Sequence, residues 1–154
     1  MIRTNLFAEG YTSKSNLSRR ILAGFIDYFI IYLLTFIYLF SFGEPDSEGT
    51  YTITGAPALV PVIIWGVLTV GVELTLGATL GNSLLDMRPL PASGYMRKLT
   101  FGESFKRHLL DPIDMFFFGL VGIVTIKNSD NNQRLGDMWA KTIVVNEKDT
   151  KKVN

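Results

Sequence analysis

Cysteine is absent from the 154 residues, and histidine occurs once, at His108. The first absence excludes a disulfide framework and thiolate chemistry. The second leaves no His-Glu-x-x-His or comparable ligand spacing, so His108, beside Arg107, reads as an interfacial residue rather than a catalytic base. A nucleic-acid footprint is missing too: net charge is only +1, and the lysines and arginines flank apolar runs, which is a membrane pattern. Gly77-Ala-Thr-Leu-Gly-Asn82 lacks the length and the lysine of a phosphate-binding loop. Asp111-Pro-Ile-Asp114 supplies no second intramembrane motif for an aspartyl protease. Neither an enzyme nor a bound cofactor is expected.

What the chain has in excess is apolar residues, 47% against 19% charged, and they are gathered into runs. Ile21 to Phe42 contains one charge, Asp27, and as a helix measures about 33 Å, the thickness of a bilayer core. Polar residues precede it and Tyr38 and Phe40 suit no cleavage site, so it reads as a retained anchor and not a signal peptide. Pro57 to Leu80 contains one charge, Glu73, and opens on a proline where a missing amide donor costs little. Both runs are expected to cross. Arg3, Lys14, Arg19 and Arg20 precede the first, whereas the connection around Glu44, Asp46 and Glu48 has no Lys or Arg, so the N-terminus is expected in the cytoplasm.

Further on, Leu84 to Leu90 and Tyr95 to Leu99 flank Pro91-Ala-Ser-Gly94, a spacing that suggests a β-hairpin. Thr100 with Glu103 reads as a capping box, and Pro112 marks a kink or fresh start. Ile113 to Ile126, interrupted by Asp114, is about 21 Å as a helix, so it either crosses with help from Leu109 and Leu110 or re-enters. The basic tail favours the cytoplasm, and a strand at Thr142 to Val145 can pair with the hairpin only from the same side. The expected fold is an all-α membrane protein with two transmembrane helices, a third spanning or re-entrant helix and a small cytoplasmic hairpin. Its membrane domain covers 18–145, between polar tails at 1–17 and 146–154.

Carboxylates facing hydrocarbon are costly, so Asp27 and Glu73, at similar depth, are expected to point inward and close enough to meet. Arg19-Arg20-Ile-Leu22 with Ile26-Asp27 and Phe29 recurs as Lys106-Arg107-His-Leu109 with Ile113-Asp114 and Phe116, which places Asp114 at a depth like that of Asp27. The proposed charge network is Arg20, Asp27, Glu73, Arg107 and Asp114. Its purpose is either a proton or cation site or the fixing of helix packing through bonds from Arg20, Arg107 or backbone amides. Gly77-x-x-x-Gly81 permits close helix approach.

Arg20-Ile-Leu-Ala-Gly-Phe-Ile-Asp27, Gly77-Ala-Thr-Leu-Gly81, Arg107 with Asp114, Gln133-Arg-Leu-Gly-Asp137 and Ala140-Lys-Thr-Ile-Val-Val145 follow one another in an order that resembles the RDD family of membrane proteins. The likeness runs from about Ser18 to Val145. It implies a small helical membrane protein, usually of the bacterial cytoplasmic membrane, with cation/proton exchange proposed for some members. Arg20 and Asp27 match the family's first pair, Asp137 its terminal acid, and Asp114 an acid found in part of the family. Arg134 and Asp137, three apart, are placed to interact. Where the family often has lysine after Thr-Leu-Gly, this chain has Asn82.

Two roles follow. In the first, Asp27, Glu73 and Asp114 bind protons or a monovalent cation within a homo-oligomer, because two or three helices do not enclose a pathway alone. In the second, the chain is a non-transporting scaffold or a subunit that binds a membrane-protein partner, and its charges are structural. Its other partner in either case is the lipid bilayer.

Overall fold

The computed structural model describes residues 14–93 and 97–149. The first apolar run forms α1, Leu17–Phe42, 26 residues and about 39 Å long. Its only buried residues are Ala23 and Ile31, while Phe25, Phe29, Tyr32 and Phe36 stand exposed. An apolar face of that size has no place in water and fits a bilayer. The helix ends at Gly43, whose amide donates to the Leu39 carbonyl at 2.8 Å.

A short turn-rich link follows, in which β1 (Glu44–Pro45) pairs with β2 (Tyr51–Thr52). Asp46 holds it by accepting from the Glu48 and Thr50 amides, both at 2.8 Å. The second span, α2, runs Ala56–Leu76. It opens with a 3₁₀ turn carrying Pro57 and contains a π-helical stretch at Val67–Gly71. That wider turn inserts one residue into the helical ladder, and the stretch contains the buried Thr69 and Val70. Glu73 follows in the last turns, fully buried.

Gly77, at φ +89°, breaks α2. Thr79 then caps α3, Leu80–Leu84, by accepting from the Asn82 amide at 3.4 Å. This helix packs on α1 so closely that a Cβ at Gly81 would overlap the Ala23 carbonyl. The chain continues into β3, Met87–Pro91.

Here the structure departs from the expected hairpin. β3 pairs with β4, Thr142–Asn146, antiparallel from Met87↔Asn146 to Pro91↔Thr142. Gly94, Tyr95 and Met96 lie outside the described residues, and Arg97 to Leu99 belongs to no strand. The reason is apolar demand. All five residues of β4 are buried, and Ile143 and Val145 pack with Leu90, whereas Arg97 is committed to Glu103 at 2.7 Å through both guanidinium nitrogens. Pro89 and Pro91 lack an amide donor, which a two-stranded ribbon tolerates because each strand is an edge.

The remaining helices are α4 (Phe101–Leu109), α5 (Asp111–Asp114), α6 (Phe116–Asn128) and α7 (Leu135–Ala140). Thr100 and Glu103 form the capping box that opens α4. Segments Phe101–Asp114 and Gly119–Asn128 are bent by 113°. α7 returns to α4 so closely that a Cβ at Gly136 would overlap the Arg107 carbonyl. A single crossing would part the ends of this region by about 30 Å. Arg107 and Gly136, which bracket most of it, lie together instead, and the flanking chain continues into two paired strands, so the third apolar segment is a bent helix pair and not one straight span.

Candidate functional site

The polar centre lies where the starts of α1 and α7, the end of α2, and α4 and α5 converge. Asp137 is its hub. Its Oδ2 pairs with the Arg20 guanidinium and accepts from the Arg134 amide at 3.2 Å, while its Oδ1 lies 3.0 Å from Arg107 Nη1 and 3.5 Å from Arg134 Nε. The Asp137 side chain is fully buried and that of Arg107 is 1% exposed. Burial works against the Asp137 charge, but Arg107, Arg20 and Arg134 outweigh it and hold the carboxyl well below its usual range. Reciprocally, burial disfavours the Arg134 cation, and Asp111, Asp137 and Asp114 raise its pKa above the ordinary value.

Arg107 extends the network to Glu73, whose Oε1 lies 3.5 Å from Arg107 Nη2 and 3.4 Å from His108 Nε2. Glu73 Oε2 accepts from the Ser104 hydroxyl at 2.7 Å. On its other side the His108 ring meets Asp111 at 2.8 Å, and Arg134 Nη1 reaches the second Asp111 oxygen at 2.8 Å. That oxygen meets ion-pair distance but not hydrogen-bond direction, and the distance is what sets the coulombic attraction. Both imidazole nitrogens thus face carboxylates, an arrangement that suits an imidazolium.

Two further acids hold turns. Asp114 accepts from the amides of Leu135 and Gly136, each at 3.0 Å, with Arg134 Nε 3.9 Å away. Asp27 does the same at α3, accepting from the Gly81 amide at 2.7 Å and the Thr79 hydroxyl at 2.6 Å. The Thr79 oxygen in turn accepts from Asn82 Nδ2 at 2.9 Å. A cavity of about 110 Å³ adjoins these groups, lined among others by Asp27, Thr69, Thr79, Asn82, His108 and Asp111. It is large enough for several water molecules, which need roughly 10–15 Å³ each on such a measure.

The structure joins Arg20, Glu73, Arg107 and Asp114 through Asp137 and Arg134, but Asp27 and Glu73 do not meet. Their bonds run to different elements, α3 for Asp27 and α4 for Glu73. The expected interfacial place of His108 is also corrected: it is 3% exposed, because α4 turns its polar side inward. Asp111, Ser104 and Thr79 were not among the residues expected in the network. The one signal available was the three-residue spacing of His108 and Asp111, the helical pairing distance. Among the described residues, no three His, Asp or Glu side chains converge to hold a metal ion.

Two apolar membrane-length helices beside a largely buried ion-pair network define a small integral membrane protein. The model of the RDD family matches residues 14–141. The chain belongs to that family. No curated protein and no solved structure matches it.

Proposed function

We propose that this protein takes part in the transmembrane movement of protons or a monovalent cation, with Asp27 as the exchanging group. One observation carries the reading. Glu73, Asp111, Asp114 and Asp137 face Arg20, Arg107, Arg134 and the His108 ring, four acids against four cations when the ring is protonated. Asp27 has no Lys, Arg or His within ion-pair distance among the described residues, yet it sits within a membrane helix and borders the cavity. Its two donors offset part of the cost of burying a carboxylate and supply no compensating charge. A proton or a small cation supplies it. The donor set does not converge as a divalent ion requires.

Glu73 and Asp114, by contrast, are occupied by Arg107, Ser104 and the α7 amides and act as fixed framework. Two spans and a bent helix pair leave a pathway open on one side, so a second copy or a membrane-protein partner completes the wall. The basic flank of α1 orients the N-terminus to the cytoplasm of a bacterial membrane. In proteoliposomes, Na⁺, K⁺ or H⁺ flux is expected with the native chain and lost in Asp27→Asn, with the fold retained. Flux that survives Asp27→Asn overturns the reading.

A further inference from the structure

Helix α4 is amphipathic in the reverse of the soluble sense. Ser104, Arg107 and His108 face the buried network, and the opposite stripe of Phe101, Phe105 and Leu109 is exposed, with the two phenyl rings stacked at 5.7 Å. The neighbouring α7 adds Met138 and Trp139, also exposed. Water is a poor covering for such a surface, and it belongs to a chain that already spans the bilayer. Its height is fixed by Lys98, whose ammonium donates to the Thr75 carbonyl at 2.5 Å, where α2 ends. The start of the surface is thereby tied to the end of a membrane-length helix, where hydrocarbon gives way to headgroups.

Charge around the patch is one-sided. Lys98, Lys106 and Lys141 are exposed, and among the described residues none has a carboxylate within ion-pair distance, whereas the nearby Arg97 is matched by Glu103. Lys106 Nζ lies 5.8 Å from the centre of the Trp139 ring, so its stem runs along the apolar patch and its charge stays at the patch's rim. Exposed aromatic side chains flanked in the chain by ammonium groups without carboxylate partners match the two parts of an acidic phospholipid.

We propose that the outer face of α4 and α7 is a binding surface for anionic phospholipid. Acyl chains lie over Phe101, Phe105, Leu109 and Trp139, and the headgroup phosphate lies among Lys98, Lys106 and Lys141. The inference uses none of the groups assigned to ion exchange and stands or falls separately.

Trp65 and Trp139 are the only tryptophans, so the full chain carrying Trp65→Phe reports on Trp139 alone. That protein is reconstituted into phosphatidylcholine bilayers with increasing fractions of brominated phosphatidylglycerol or brominated phosphatidylcholine. Both lipids are expected to quench Trp139, the anionic one at a much lower mole fraction. Replacing Lys98, Lys106 and Lys141 with Gln should reduce that preference by about fivefold per lysine, while quenching by phosphatidylcholine persists as evidence that the surface is still in place. Equal quenching by the two lipids in the lysine-containing protein overturns the proposal. So does the absence of quenching by either, which would mean that water or a second protein chain covers the face.

Discussion

The two halves of the chain are built from the same parts in the same order. Residues 17–91 and 101–146 each run from an arginine through an aspartate to an x-Leu-Gly turn, a short helix and a strand, and the strands pair with each other. Arg20 and Arg107 both bind Asp137. Asp27 receives the amide of Gly81, as Asp114 receives that of Gly136, and each glycine admits a backbone carbonyl where a Cβ would not fit. The halves differ where charge is matched. Arg134 and Asp137 in the second half stand where the first has Thr79 and Asn82, so Asp114 has a guanidinium nearby and Asp27 has a hydroxyl. A shared framework is thus closed electrostatically on one side and left one charge short on the other.

The strongest way to break the comparison is Asp137→Asn, which strands Arg20 and Arg107 in a buried site. A loss of about 3–5 kcal/mol is expected in unfolding from detergent micelles, against little change for Asn82→Ala. The same residue gives a pH signature. Its folded-state pKa is lowered, so its stabilisation is complete above the unfolded value of about 4 and is lost as pH falls from there toward the folded value. Unfolding measured against pH should be steeper in this acid window for the native chain than for Asp137→Asn.

Next in size are Gly81→Ala and Gly136→Ala. Each puts a methyl group into a backbone carbonyl, and each should cost about 1–3 kcal/mol. Similar losses at both would sharpen the equivalence of the halves, and a loss at one alone would break it. Asp114→Asn leaves one of two buried amides without an acceptor and should cost about 1–3 kcal/mol. Asp27→Asn should be the mildest, below about 1 kcal/mol, since its amide oxygen still serves Gly81 and its amide nitrogen can donate to Thr79. Thermal unfolding of both asparagine variants in one detergent tests the pair.

Much of this was legible in the sequence because hydropathy and charge act locally. The two spans, the capping box at Thr100 and the correspondence of Arg20-Asp27 with Arg107-Asp114 are all patterns within a few turns of helix. The strand at Thr142 to Val145 was visible as a short apolar stretch, and pairing with the hairpin that begins at Leu84 was one alternative left open, since pairing depends on which apolar face is left uncovered after the helices pack. Asp137 illustrates the same limit. It sits in a polar stretch, and nothing local reveals that two arginines from distant helices converge on it. His108 was misplaced because a lone histidine beside an arginine looks interfacial until α4 is seen to turn its polar side inward.

The central claim is that one carboxylate, Asp27, exchanges its counter-charge while the ion pairs around Asp137 stay fixed. Infrared difference spectra of the reconstituted protein, recorded on stepping pH or replacing K⁺ with Na⁺, test it most directly. The account predicts a buried-carboxyl band that responds in the native chain and in Asp114→Asn and is missing from Asp27→Asn. The same band persisting in Asp27→Asn would contradict it.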